Sequence, residues 1–244
     1  MSIPNTRFGA EQIAKMLHNK RSIFFIGIGG VHMSALAHIA KERGFFAGGS
    51  DKTETALTRE LSSCGIDVKY RHDETNLNGY EAVVYTVAVS ADNPEYQRAI
   101  REGLPCISRA DFLGYIMTHS KNRIGIAGMH GKSTCTAITS NIFLNAQTNP
   151  TIVSGAELAS LHGSYKIGAD EHFIFEACEY MDSFLSFYPT IAVILNIEMD
   201  HVDYFKSMDQ IYHSFTQFMN KTGEKGACVV NADDDNVMKC AKNC

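Results

Sequence analysis

Arg123-Ile124-Gly125-Ile126-Ala127-Gly128-Met129-His130-Gly131-Lys132-Ser133-Thr134 is a short apolar run that breaks into a glycine-bounded loop and leads into a helix-forming stretch. A buried strand followed by Gly-Lys-Ser at the mouth of a helix is the context of a phosphate-binding loop. The glycines free backbone N–H groups to face phosphate oxygens, Lys132 is placed to neutralise them, and the Ser133 hydroxyl can join the shell of a Mg²⁺ ion. The strict pattern wants a glycine at 126. Here Ile126 stands there, with Gly125 and Gly128 on either side.

Working outward, apolar runs alternate with amphipathic stretches, the pattern of βαβ units and a parallel sheet. Upstream, strands are expected at Ser22–Ile28, Phe45–Gly48, around Val68 and at Glu81–Ala88. Helices are expected at Val31–Arg43, Glu54–Cys64 (closed by Gly65), Asn93–Glu102 and Arg109–His119. The pattern then restarts: strands at Arg123–Ala127, His172–Cys178, Ile191–Ile197 and Gly226–Asn231, helices at Lys132–Leu144, Met208–Asn220 and Asp234–Lys242. The expected fold class is α/β: a Rossmann-like N-terminal domain with a parallel sheet over 1–119, followed by an incomplete P-loop α/β central domain over 120–244. The boundary is placed near Thr118–Asn122.

A second glycine loop, Gly27-Ile28-Gly29-Gly30-Val31-His32, follows the first strand. It approaches the dinucleotide fingerprint, but His32 occupies the place of the third glycine, which argues against an NAD-type site. Asp51 lies where an acidic residue could hold a ribose hydroxyl. A ligand-free turn is the plain alternative.

The 244 residues carry a net charge of −5 with scattered lysines and arginines, which excludes a broad nucleic-acid-tracking surface. No apolar run approaches the length of a membrane span, and the opening Met1-Ser2-Ile3-Pro4-Asn5 does not have the composition of a signal peptide. A cytoplasmic protein without membrane insertion is expected. Seven cysteines form no zinc spacing; Cys106, Cys178 and Cys228 read as small core residues, and Cys240 and Cys244 share a helical face that could be a metal or redox pair. Nothing in the sequence points to an oligomeric state.

Two further segments carry carboxylates at strand ends. Glu176-Ala177-Cys178-Glu179-Tyr180-Met181-Asp182-Ser183-Phe184 is one, and Asn196-Ile197-Glu198-Met199-Asp200-His201-Val202-Asp203-Tyr204 the other. Beside a phosphate loop, such positions suit a metal ligand and its support. Glu179 and Asp182 can equally be read as turn caps, Asp200 and Asp203 as orienting His201 or solvating a helix start, and His72 as a surface residue.

Taken in order, GIGGxxMS, GSD, YTxAxxxDNPEY, GxxGK[ST]T, EAxExxDSF and NIExDHxDYF resemble the Mur ligase family from about residue 20 to the end of the chain. The resemblance implies ATP and Mg²⁺ as cofactors, with UDP-N-acetylmuramate and L-alanine as small-molecule substrates. The implied reaction converts the sugar-linked carboxylate to an acyl phosphate, which the amine then displaces. Catalytic positions implied by it are Lys132, Glu176 and His201. ATP would be held by Gly128, Met129, His130, Gly131, Lys132, Ser133, Thr134 and Asn196, and the metal by Ser133, Glu176 and His201. UDP-N-acetylmuramate would be held by Gly29, Gly30, Met33, Ser34, Ser50, Asp51, His72, Thr86, Ala88 and Arg109. Met129, Arg71 and Val87 depart from residues common in the family. Family members continue into the rest of the central domain and a C-terminal amino-acid-binding domain, absent here, so this chain alone is expected to bind the UDP-sugar with little ligase activity. Three alternatives stand beside this reading: a peptide-recycling ligase adding a tripeptide to the same sugar nucleotide, a non-catalytic UDP-sugar-binding module, and a nucleotide-dependent regulator with an NAD-type first domain.

Overall fold

The structure, a computed structural model, describes residues 3–161 and 163–244; Met1 and Ser2 of the opening stretch lie outside them. It comprises two compact units, Met1–Tyr115 and Ile116–Cys244.

The first unit is a five-stranded parallel sheet. Its strands are β1 (Ser22–Ile26), β2 (Phe46–Ser50), β3 (Asp67–Lys69), β4 (Ala82–Tyr85) and β5 (Cys106–Ser108), in the order β3-β2-β1-β4-β5. Helices α1 (Ala10–Met16), α2 (Val31–Glu42), α3 (Ala56–Ser63), α4 (Pro94–Arg101) and α5 (Arg109–Met117) accompany it. This is the doubly wound, Rossmann-like arrangement expected from the alternating pattern. All five residues of β1 are buried, as befits the central strand of a parallel sheet covered on both faces. Phe24 meets Tyr80 edge to face at 5.0 Å, inside a cluster with Ile26, Val83 and Tyr85.

The second unit is six-stranded: β6 (Asn122–Ala127), β7 (Thr151–Leu158), β8 (Gly163–Lys166), β9 (His172–Glu176), β10 (Ile191–Ile194) and β11 (Ala227–Val230), in the order β11-β10-β6-β9-β7-β8. Helices α6 (Lys132–Asn145), α7 (Met208–Asn220) and α8 (Asp235–Ala241) complete it. Strand β8 runs antiparallel to β7 and makes a hairpin edge on an otherwise parallel sheet. Neither strand was expected from the sequence. Gly125 within β6 lets the rings of Phe175 and Phe218 close over the strand, for a Cβ there would stand 2.6 Å from Phe175.

Several expected elements are shorter than their apolar runs. β1 ends at Ile26 because Gly27 turns the chain at φ 84°. β9 stops at Glu176, so Cys178 leaves the sheet and is half-buried; Cys228, on the edge strand β11, is half-buried too. Of the three cysteines expected in the core, only Cys106 is buried. Cys240 is buried with its thiol donated to the Tyr212 carbonyl, whereas Cys244 is exposed, and both are free thiols, so the helical spacing does not make them a pair. Among the described residues no helix is long and apolar enough to cross a membrane.

Candidate nucleotide-phosphate site and nucleotide-sugar cleft

In the second unit the phosphate loop leaves the centre of the sheet. β6 is flanked by β9 and β10, with Ile126 in register with Glu176. The loop therefore emerges between the two carboxylate-bearing segments, at the carboxyl ends of parallel strands. The missing glycine at 126 is explained by position: Ile126 is a fully buried strand residue, and the turn begins only after Ala127. Gly128 (φ 144°) and Gly131 (φ 81°) hold the backbone values that side chains resist. Gly131 is the N-cap of α6 and offers no capping side chain, which leaves the first amides of a 14-residue helix to an anion.

Lys132 folds over the loop. Its ammonium donates to the carbonyls of Gly128 (2.6 Å) and Met129 (3.1 Å) and to Glu179 (3.1 Å), which uses its three hydrogens. Ser133 donates its hydroxyl to Glu176, at 3.1–3.2 Å from both carboxylate oxygens. The Gly155 N–H fixes the same carboxylate at 2.9 Å. The third carboxylate, Glu179, is fully buried and lies 3.1 Å from both Lys132 Nζ and His201 Nε2. It is no mere turn cap. Its Oε2 has the ammonium beside it but no aligned hydrogen bond, an orphaned acceptor in a buried site.

Asn196 clamps the loop through the main chain of His130: its Oδ1 accepts from the His130 N–H (2.8 Å) and its amide donates to the His130 carbonyl (2.9 Å). Both halves of its side chain are thus committed to shaping the loop. His130 itself is exposed and pairs with Glu198 at 2.5 Å. The segments after β9 and β10 are further stitched by Tyr180 to Asp203 and by Tyr204 to Asp182, each at 2.6 Å, while Asp182 also accepts from Ser214 at 2.6 Å. Asp200 accepts the His201 N–H and caps its own turn. Met181, Asp182 and His201 hold left-handed backbone (φ 49–54°) within this stitching. Such residues cost about 1–2 kcal/mol each and collect where a site over-determines them. Phe184, stacked on Phe218 at 4.7 Å and 7°, anchors the segment to α7.

Of the residues expected at the metal, Ser133 and Glu176 touch directly; His201 enters through Glu179, which the sequence had not singled out as a ligand. Among the described residues no group of three His, Cys, Asp or Glu side chains is arranged to hold a metal ion.

In the first unit a cleft of about 690 Å³ opens over the glycine loop. Of the expected substrate residues, Gly30, Met33, Asp51, His72, Thr86, Ala88 and Arg109 line it. Gly29 is pinned beside it, its N–H donated to Asp51 Oδ2 at 2.8 Å; a Cβ on Gly29 would collide with that carboxylate. Asp51 therefore holds the loop rather than standing free for a ribose. Ser34 is fully buried and back-bonds to the Val31 carbonyl at 2.9 Å, so it is packed inside α2 rather than on the wall of the cleft. Ser50 is buried too, bonded to Glu95 and His72. His72 is no surface histidine, with 14% of its side chain exposed. His32 stacks its function differently again: burial, then the Arg109 charge, lower its pKa to about 3, and Arg109 approaches Nδ1 at 3.4 Å. His32 is half-buried as a residue and lines the cleft, while its Nε2 is buried without a hydrogen-bond partner.

Comparison with known proteins agrees with this architecture. Residues 22–121 match the Mur ligase family, catalytic domain, and residues 126–244 match the Mur ligase middle domain. A UDP-N-acetylmuramate–L-alanine ligase of Caldicellulosiruptor bescii is 50% identical over 214 residues, covering 88% of this chain and 47% of the relative. That of Clostridium tetani is 40% identical over 223 residues, with coverages of 91% and 49%. The chain spans about half the length of the curated relatives it matches. Among solved structures, UDP-N-acetylmuramate:L-alanyl-gamma-D-glutamyl-meso-diaminopimelate ligase from Neisseria meningitides superposes with a TM-score of 0.83 at 26% identity, over 92% of this chain and 75% of that one. UDP-N-acetylmuramate-alanine ligase from Thermotoga maritima gives 0.80 at 28%, over 90% and 51%. With both of its units matched in order, the chain belongs to the Mur ligase family.

Proposed function

We propose that the chain is the nucleotide-sugar-binding and phosphate-binding part of an ATP-dependent ligase that joins L-alanine to UDP-N-acetylmuramate in peptidoglycan precursor synthesis. The observation that carries this reading is the set Lys132, Ser133, Glu176, Glu179 and His201 gathered at the strand ends around the loop. A carboxylate attacking the terminal phosphate of ATP needs charge neutralisation and alignment more than it needs a base.

Oxygen donors with a histidine at the margin form a donor set suited to Mg²⁺, and the orphaned Glu179 oxygen gives an ion something to satisfy. Ser133 and Glu176 would hold it, with Glu179 and His201 as the neighbouring pair; bound there, it would offset phosphate charge. Lys132 is the fixed cation of the loop. To meet a phosphate its ammonium exchanges the Gly128 and Met129 carbonyls for phosphate oxygens, while the amides that open α6 supply further donors. Asn196 keeps the loop in shape throughout. In the first unit, the uncapped start of α2 and Arg109 suit an anionic diphosphate, and His72 and Thr86 suit polar groups of the ligand.

Addition of a tripeptide to the same sugar nucleotide is the second reading, supported by the fold match to the Neisseria protein. The 50% identity to an alanine-adding relative favours the first. Titration calorimetry of this chain with UDP-N-acetylmuramate, and separately with Mg-ATP, tests the proposal: saturable binding of each is expected, and failure of both would overturn it. In a complete enzyme, competition between L-alanine and the tripeptide separates the two readings.

A further inference from the structure

Below the cleft of the first unit, Ser50 and His72 meet a buried carboxylate that has no role in the proposed function. Glu95 is fully buried. Its Oε2 accepts from the Ser50 hydroxyl at 2.6 Å and lies 2.9 Å from His72 Nδ1, while its Oε1 accepts from Asn76 at 2.7 Å. Three elements converge on this one carboxylate: the end of β2 through Ser50, the segment after β3 through His72 and Asn76, and the start of α4, where Glu95 follows Pro94 and the N-cap Asn93. The helix N-terminus favours a negative group there, and three donors satisfy it.

The hydrogens can be assigned. A carboxylate only accepts, and the Ser50 hydroxyl spends its hydrogen on Oε2, so the remaining hydrogen between His72 and this pair must sit on Nδ1. Nε2 is then the ring nitrogen left for a ligand in the cleft that His72 lines. We propose that Glu95 is a positioning residue for the cleft: buried out of reach of the ligand, it fixes the orientation and tautomer of His72 so that Nε2 meets a nucleoside-diphosphate sugar. This rests on the nucleotide-sugar reading of the cleft.

Glutamine at 95 keeps the shape but can donate as well as accept, so it no longer dictates which ring nitrogen carries hydrogen. The test combines UDP-N-acetylmuramate calorimetry on wild type, Glu95→Gln, His72→Ala and the double variant with long-range ¹H–¹⁵N spectra of the His72 ring. Wild type is expected to carry hydrogen on Nδ1. Glu95→Gln is expected to shift that pattern and weaken binding by about tenfold to a hundredfold, the worth of a hydrogen bond to a charged group. The double variant is expected to bind no worse than His72→Ala, because Glu95 acts through His72. Additive losses, or an unchanged ring pattern in Glu95→Gln, would overturn the inference. So would a wild-type ring with Nε2 protonated and Nδ1 bare, a measurement that stands even if the variants do not fold. No saturable binding by wild type overturns the cleft reading instead, and this inference with it, whereas binding that survives Glu95→Gln undiminished overturns the inference alone.

Discussion

Glu179 and Lys132 form an ion pair of 3.1 Å in which the carboxylate is fully buried and only 14% of the lysine side chain is exposed. Removing the ammonium leaves a fully buried carboxylate with only His201 beside it, which costs far more than the pair's net worth. Lys132→Ala is therefore expected to destabilise the second unit by roughly 3 kcal/mol, and Lys132→Ala with Glu179→Gln by clearly less. Chemical denaturation of the four proteins of the cycle checks this.

In a complete enzyme, Lys132→Ala is expected to abolish ATP-dependent acyl phosphate formation while leaving UDP-N-acetylmuramate binding nearly intact. The lysine belongs to the phosphate loop and the cleft to the other unit. Equal loss of both activities would refute the division of labour.

Asn196→Ala removes two hydrogen bonds to the His130 main chain, at 2.8 and 2.9 Å. Each is worth about 1 kcal/mol, so Mg-ATP binding should weaken by up to about thirtyfold as the loop loses its set shape. Amide exchange at His130 should quicken. Unchanged protection there would show that the glycines alone shape the loop.

Asp51→Ala frees the Gly29 N–H and loosens the first glycine loop. UDP-N-acetylmuramate affinity should fall by about tenfold to a hundredfold, the worth of one hydrogen bond to a charged group, with Mg-ATP binding untouched. Calorimetry with each ligand measures both arms.

His32 supplies a pH dependence. Burial, then Arg109, lower its pKa in the folded chain from 6.5 to about 3. Between those values the unfolded chain binds a proton that the folded one does not, so this contribution is complete above about pH 6.5 and is lost as pH falls towards 3. Melting temperature should therefore fall less steeply over that window in His32→Gln than in wild type. Identical slopes would show that the imidazole is protonated in the folded chain.

Local spacing was enough to read the strand, glycine turn and helix that frame the candidate phosphate loop. Gly128, Gly131, Lys132 and Ser133 act within one turn of chain, and the apolar run before them announces β6. The alternation of strands and helices likewise determined the α/β class, because a parallel sheet covered on both faces must be built from continuous apolar runs. The motif order was enough to recognise the family.

Other features depended on distant segments meeting. The β7–β8 hairpin was not legible: its residues mix polar with apolar, as an edge strand allows, and its place follows from pairing with β9. In the sequence Glu179 could be read as a turn cap, and Glu95 was only one residue of the DNPEY motif. Burial converts them into anchors, and burial is set by what packs on them: Lys132 and His201 from two other segments in one case, Ser50, His72 and Asn76 in the other. Ser34 shows the opposite, a motif residue that the tertiary structure turns inward. The sequence by itself determined the glycine-bounded loop between β6 and α6 and the class of fold that carries it. Only the tertiary structure decided which carboxylates lose their water, because desolvation is a property of the packed neighbourhood and not of the residue.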